Sequence, residues 1–132
     1  MAGDPRRGTG RRGEAIASAH LERLGFTILA RNYRTREGEI DLIACRRRTL
    51  VFCEVKALVS RRRGPASGPA SPLEGVGPAK RIQVRRIARS WLAEDNPGPG
   101  ARRWRELRFD AIGVLLSPTG RTERLEHVEN AF

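Results

Sequence analysis

The sequence predicts an α/β domain. The chain has 132 residues, which suits one compact domain and is too short for two. Its hydrophobic fraction of 39% supports a packed core. The hydrophobic pattern changes between helical spacing and strand-like runs in the order helix, three strands, helix, two strands. We therefore expect a single domain over residues 11–132.

The first predicted helix covers residues 11–25. Within it Ala17, Leu21 and Leu24 fall on one stripe at about 100° per residue, and the glycine that ends the segment is typical of a helix C-terminus. The residues before this helix are Gly, Pro, Asp, Thr and Arg in the main. Residues 1–10 are therefore expected to form a disordered basic tail.

Segments rich in Val, Ile, Leu and Phe predict five β-strands. They cover residues 27–33, 39–45, 49–58, 104–116 and 121–128. A second helix is predicted over residues 79–93, where apolar residues recur at helical spacing among arginines. Before this helix, Gly, Pro, Ala and Ser dominate residues 60–78, which predicts a long flexible loop of a kind that is often functional.

The charge of the chain favours a polyanionic partner. It has 26 Lys and Arg against 15 Asp and Glu, a net charge of +11, and a pI near 11.4. Nucleic acid is the first candidate for such a partner and an anionic membrane surface the second. All the basic residues are arginine except Lys56 and Lys80. A genome-wide preference for arginine would explain that composition equally well.

Several classes of protein are excluded. The longest apolar run has six residues, 111–116, whereas a transmembrane helix needs about 20. The basic, polar N-terminus has no apolar run behind it, which argues against a secretory signal. Two cysteines without a CxxC pair predict neither a disulfide scaffold nor a zinc site. We expect a soluble protein of the cytoplasm with no membrane association.

The segments GEIDLIA (residues 38–44) and VFCEVK (residues 51–56) carry the chemistry. If the turn between them is centred on Arg47 and Arg48, the two strands place Asp41 across from Glu54 and Glu39 across from Lys56. Carboxylates about 4.5–5.5 Å apart repel each other unless a cation lies between them. Oxygen ligands of this kind suit Mg²⁺.

Two further residues fit such a centre. Lys56 shares a face with Glu54, so it would orient or deprotonate an attacking water or stabilise charge on a phosphate. Glu14 lies seven residues before Leu21 on the inward face of the first helix, where it would complete the metal shell or act through a metal-bound water. Two simpler interpretations stay open. In the first, the charged face of the hairpin is simply solvated and Glu39 forms an ion pair with Lys56. In the second, Glu14 is simply a residue of the first helical turn, where the helix dipole favours a carboxylate.

This ordered set of residues resembles the PD-(D/E)xK nuclease superfamily, which has the restriction-endonuclease-like fold. The chain resembles the YraN family of uncharacterised bacterial proteins more closely, and that resemblance extends over about residues 11–132. The segments that carry it are residues 13–26, 31–33, 38–44, 51–56, 109–110 and 130–132.

The resemblance implies a mixed β-sheet flanked by helices and phosphodiester cleavage that depends on Mg²⁺, with Mn²⁺ as an alternative. It implies that Asp41 and Glu54 hold the metal, that Lys56 is the catalytic lysine, and that Glu14 is the helix carboxylate. Ala57 and Leu58 stand where the family commonly has an arginine. Arg61, Arg62 and Arg63 in the following loop would substitute for that phosphate contact. The resemblance also implies a phosphate contact for Lys80, since resembling sequences carry a lysine there, with an ordinary exposed helix residue as the alternative.

The expected function is hydrolysis of nucleic acid, with DNA favoured over RNA, in the bacterial cytoplasm. Cutting two strands would favour a homodimer. Two alternatives remain, a nucleic-acid-binding protein with a degenerate site and a module that binds an acidic protein or membrane. For Asp110 a structural role is favoured over a contact near the metal. His20 and His127 are expected to be ordinary core or surface residues.

Overall fold

The computed structural model describes residues 5–60, 78–94 and 104–132. Most of the predicted loop 60–78, including Arg61, Arg62 and Arg63, lies outside these residues. The described residues form two helices and five strands, in the predicted order. They are α1 (Pro5–Arg23), β1 (Thr27–Thr35), β2 (Gly38–Arg46), β3 (Thr49–Val59), α2 (Pro78–Glu94), β4 (Glu106–Leu116) and β5 (Thr122–Val128).

The strands form one mixed sheet in the order β1-β2-β3-β4-β5. Strands β3 and β4 are parallel, and all other neighbours are antiparallel. A parallel pair needs a crossover connection, and α2 lies in the segment that joins β3 to β4. The predicted α/β class with a mixed sheet and flanking helices is confirmed.

Each helix covers a hydrophobic cluster on one face of the sheet. Beneath α1, Ala17 and Leu21 pack with buried residues that include Leu42 and Cys53. Beneath α2, Val84 and Ile87 pack in a second cluster that includes Phe52. The central strands are therefore buried on both faces, as their nearly continuous apolar sequences require.

Helix α1 begins six residues earlier than the sequence predicts. It starts at Pro5 instead of residue 11, so residues 5–10 of the expected disordered tail are helical. Proline is favoured in the first turn of a helix, because its fixed φ suits the helix and an N–H there would have no partner within the helix.

The predicted end of α1 is confirmed. Gly25 has a φ of +93°, and the N–H of Phe26 donates to the carbonyl of Leu21 at 3.0 Å, which closes the helix.

Gly13 lets α1 approach β3 closely. A Cβ atom at this position would lie 2.5 Å from the Cβ of Ala57. Since the next residue is Glu14, this contact also sets the height of the Glu14 carboxylate above the sheet. Neither helix, over the described residues, is long and apolar enough to cross a membrane.

We expect Gly13→Ala to destabilise the fold. Overpacking against Ala57 costs about 1–3 kcal/mol, which exceeds the gain of up to about 1 kcal/mol that alanine has over glycine in a helix. The control is Gly10→Ala on the same helix, because a Cβ there would have no neighbour within 4 Å. Urea unfolding followed by circular dichroism should show a loss for Gly13→Ala and a gain for Gly10→Ala. Equal gains for both would contradict the close approach.

Candidate functional site

The site lies where β2 and β3 separate. Their pairing follows the predicted register from Arg46–Thr49 to Leu42–Cys53 and ends there. The predicted cross-strand pairs Asp41–Glu54 and Glu39–Lys56 are therefore wrong. The reason is that the backbone N–H of Val55 donates to the Asp41 carboxylate at 2.7 Å, so this side chain lies between the strands.

Glu39 of β2 and Glu54 of β3 lie on opposite sides of the sheet, and the Asp41 carboxylate lies between the two strands. In β3, Val55 and Ala57 pack beneath α1, so strand alternation directs Glu54 and Lys56 towards α2. In β2, Glu39 and Asp41 lie beside α1. Within each strand the two charged residues lie on the same side, as predicted. The Asp41 carboxylate, however, lies between the strands and interrupts the cross-strand pairs that regular pairing would give.

Glu14, Glu39 and Asp41 form the acidic cluster. Each offers one carboxylate oxygen, and these oxygens all lie within 4.8 Å of one another. Helical periodicity correctly places Glu14 on the inward face of α1. The sequence pattern suggests Glu39 only as a partner for Lys56. Its position two residues before Asp41, on the same face, is the signal that identifies it.

Burial and charge repulsion change the protonation of this cluster. Burial and the nearby charge of Glu54 raise the pKa of Asp41 to about 7, while the Val55 N–H opposes this shift. Glu14 and Glu39 raise it further. The pKa of Glu14 is also raised, chiefly by burial, although a hydrogen bond with Asn32 lowers it. A cation would relieve both carboxyl groups.

Glu54 is the most buried of these carboxylates, with a side chain only 8% exposed. Its Oε1 atom lies 3.0 Å from Nζ of Lys80, which comes from the first turn of α2. Its Oε2 atom is buried and has no hydrogen-bond partner among the described residues. Lys56, two residues further along β3, is exposed to solvent. The structure thus places Lys80, and not Lys56, against the Glu54 carboxylate.

A cavity of about 500 Å³ opens beside the acidic cluster. Its lining combines carboxylates with arginines and an asparagine. The lining residues are Gly10, Arg11, Glu14, Asn32, Arg34 and Glu39. Arg34 also donates from Nε to Glu39 at 2.9 Å. The sequence pattern does not single out Arg11 or Arg34, since Arg11 falls at the start of the first predicted helix and Arg34 just after the predicted strand 27–33.

The four carboxylates of the site fit a hard divalent cation. Asp41 lies among three other carboxylates, those of Glu14, Glu39 and Glu54, and their charges all raise its pKa. One buried oxygen of Glu54 lacks any partner among the described residues. Mg²⁺ and Mn²⁺ bind carboxylate oxygens and retain waters, which suits half-buried ligands beside an open cavity.

A second polar network lies beneath α1, away from this cluster. Asp110 is fully buried and accepts hydrogen bonds from Arg108, and it lies 2.7 Å from Nε2 of His127. The other ring nitrogen of His127 lies 3.0 Å from Nε2 of His20. Burial would raise the pKa of Asp110, but the bonds from His127 and Arg108 lower it overall. This arrangement agrees with the structural role favoured for Asp110, and it links the two histidines that look isolated in the sequence.

The family of the chain follows from its sequence over the same region. Residues 13–114 match the model of uncharacterised protein family UPF0102. The chain belongs to the UPF0102 family. This confirms the resemblance to the YraN family that its two motifs indicate. The matched span contains Glu14, Asp41, Glu54, Lys56 and Lys80.

Relatives within UPF0102 come from several bacteria. The chain is 41% identical over 140 residues to a UPF0102 protein of Acidothermus cellulolyticus, with the whole of both chains covered. It is 44% identical over 123 residues to one from a Parafrankia species, covering 93% of this chain and 94% of the relative. A protein of Pelobacter propionicus is 39% identical over 128 residues, covering 96% and 83% respectively.

The raised pKa of Asp41 predicts a pH-dependent stability difference. In chelator, the native state holds a proton up to about pH 7, whereas the unfolded chain loses it near pH 3.8. Ionisation of Asp41 therefore removes stability as pH rises through this window. Asp41→Asn keeps an acceptor for the Val55 N–H and carries no charge. Its stability relative to the parent protein should increase from pH 4 to pH 8, by at most about 4 kcal/mol.

Thermal melts at several pH values measure this difference. Glu22→Gln is the matched control, because Glu22 is an exposed acid on α1 outside the cluster. Adding Mg²⁺ at pH 8 should stabilise the parent protein more than Asp41→Asn, since the cation relieves the repulsion. A stability difference that stays constant from pH 4 to pH 8 would show that Asp41 ionises normally.

Proposed function

We propose that this UPF0102 protein is a Mg²⁺-dependent nuclease of the PD-(D/E)xK type that hydrolyses phosphodiester bonds in nucleic acid, with DNA favoured over RNA. The observation that carries the proposal is the buried Glu54 carboxylate with one unpartnered oxygen, close enough to Asp41 to raise its pKa. Lys80 contacts only Oε1, and a buried oxygen without a partner carries a desolvation cost that a divalent cation would relieve.

Asp41 and Glu54 are the first candidates for holding the metal. The Asp41 carboxylate lies between β2 and β3, close enough to Glu54 for that charge to raise its pKa. Glu14 and Glu39 bring further oxygens to Asp41 from the α1 side. Mn²⁺ would bind the same oxygens. When bound, the divalent cation would activate a water and stabilise charge on the phosphate.

Lys56 would act on the α2 side of the sheet. It follows Glu54 by two residues on the same face of β3, and its side chain is exposed to solvent. Its ammonium group is therefore able to reach a phosphate or a water that approaches Glu54. Lys56 would position that water or stabilise the charge that develops on the phosphate.

Helix α2 offers a surface for the nucleic-acid backbone. Its exposed side carries Arg81, Arg86 and Arg89, while Arg85 stacks over the Phe109 ring at 4.7 Å and donates to the carbonyl of Phe132 at 3.2 Å. Guanidinium groups fork onto phosphate oxygens and keep their charge, so this row suits the backbone of a polyanion. The exposed Ile82 lies among these arginines, and Lys80 places the start of the row beside Glu54.

One observation favours a second candidate function, nucleic-acid binding without turnover. Lys80 already neutralises one oxygen of Glu54, which a degenerate site would retain as a simple ion pair. Both candidates share the basic surface, and both suit the bacterial cytoplasm. A nuclease that cuts both strands of a duplex would act as a homodimer, whereas a binding protein has no such requirement.

Cleavage of a labelled panel of nucleic acids tests the proposed activity. The panel contains duplex, single-stranded, flapped and branched DNA and matched RNA, each with Mg²⁺ or Mn²⁺. Glu54→Gln should lower the rate at least about 100-fold, since even residues outside the metal shell cost about 10–100-fold. Glu22→Gln should cleave as the parent protein does, because Glu22 is exposed and outside the site.

Chelator should abolish the products as well. Equal cleavage by Glu54→Gln and the parent protein would overturn the site. Tight, salt-sensitive binding to the panel with no products from the parent protein would favour the binding protein instead.

The surface of α2 makes a separate prediction about salt dependence. Replacing Arg81, Arg86 and Arg89 together by glutamine should weaken duplex binding whatever the sequence. The slope of log affinity against log salt should fall by about 0.9 for each phosphate that the variant no longer neutralises.

The control replaces three exposed arginines outside α2, namely Arg23, Arg36 and Arg121, and so removes the same charge. Fluorescence anisotropy with a labelled duplex measures both variants. If the two lower the slope equally, net charge and not the α2 surface governs binding.

A further inference from the structure

We propose that Lys80 is a built-in counter-ion, which neutralises Glu54 in the metal-free protein and is exchanged for a divalent cation, after which its ammonium group contacts a substrate phosphate. This assignment rests on the proposed function, since it describes how that site is kept before metal binds. It gives Lys80 two positions and makes metal binding and phosphate binding depend on the same side chain.

The contact between Lys80 and Glu54 is short and incomplete. Nζ lies 3.0 Å from Oε1, while Oε2 is buried and has no partner among the described residues. An ammonium group is a compact point charge, so it binds one oxygen well and leaves the other. A divalent cation carries twice the charge and is able to serve Glu54 and Asp41 together. A divalent cation would therefore neutralise Glu54 more completely than the Lys80 ammonium does, and would replace it.

The position of Lys80 allows the exchange. Its side chain is 30% exposed, whereas that of Glu54 is 8% exposed, so the ammonium has a path to solvent and its departure opens the carboxylate to a cation. Lys80 is in the first turn of α2, while the residues that anchor this helix in the core, Val84 and Ile87, follow it. A flexible four-carbon stem is able to move the ammonium while the helix stays in place.

The released ammonium would remain beside the site at the start of the arginine row. Arg81 is the next residue, and it is exposed. A phosphate held near Glu54 would therefore find a cation that is free only when metal is bound. The competing explanation is a static ion pair that holds α2 against β3, in which case removing Lys80 lowers stability and leaves metal affinity unchanged.

Calorimetric titration with MnCl₂, without nucleic acid, separates these explanations. Lys80→Met removes the competing charge and should tighten Mn²⁺ binding about 10-fold, within the usual range of coupling between sites. Lys80→Arg should weaken it, because a guanidinium forks onto both carboxylate oxygens. Arg121→Met removes one exposed charge from the β4–β5 turn and should change the affinity much less.

The phosphate contact has its own readout. Binding to a short duplex is measured at several salt concentrations, with Ca²⁺ as a second oxygen-binding cation or with chelator. Lys80→Met should lower the salt slope by about 0.9, equivalent to one phosphate, in Ca²⁺ and should leave it unchanged in chelator.

The outcomes distinguish this inference from the proposed function. Circular dichroism first verifies the fold of each variant, and Lys80→Arg keeps the charge should Lys80→Met fail to fold. Equal or weaker Mn²⁺ binding by Lys80→Met, with binding still abolished in Glu54→Gln, overturns the exchange and leaves the metal site standing. Failure of the parent protein and every variant to bind Mn²⁺ through Glu54 overturns both.

Discussion

The hydrogen bond from the Val55 N–H to the Asp41 carboxylate is the constraint on which the site depends. It replaces the next rung of the β2–β3 ladder, which ends at Leu42–Cys53, and so separates the two strands at their functional ends. A carboxylate held between strands cannot turn towards solvent to escape its neighbours. Glu14 and Glu39 approach it from the α1 side, and Glu54 raises its pKa further. The fold thus concentrates negative charge that only protons or cations relieve.

The parallel pairing of β3 with β4 supplies the opposing charge. That pairing requires a crossover, and α2 lies in it, on the face of the sheet towards which Glu54 points. Burial of Val84 and Ile87 fixes the axis of α2, so its first turn delivers Lys80 to Glu54 while its outer side presents arginines. The same packing that completes the core therefore places a cation at the acidic site and a basic row next to it.

The site is held by two kinds of contact with different tolerance to change. Gly13 sets the approach of α1 to β3 through steric contact with Ala57, so the position of Glu14 depends on a side chain being absent. Asp110, in contrast, is fixed by hydrogen bonds from Arg108 and from His127, which in turn contacts His20 on α1. That network ties the C-terminal half of α1 to β5. The two contacts hold α1 at its middle and in its C-terminal half, and the acidic cluster lies beside the glycine.

Local sequence determined the elements and the chemical type of the site. Hydrophobic spacing identified both helices and all five strands to within two residues at each boundary except the start of α1, because each signal arises from neighbours along the chain. The register next to the β2–β3 turn followed from the turn itself, and the inward position of Glu14 from helical spacing.

Tertiary structure decided the rest of the site. Strand alternation carries no information about where a ladder ends, so the insertion of Asp41 was not predictable. His20 and His127 are 107 residues apart in sequence, and the Lys80–Glu54 contact joins a helix to a strand across a long connection. Such contacts depend on how the helices pack on the sheet, which no local pattern specifies.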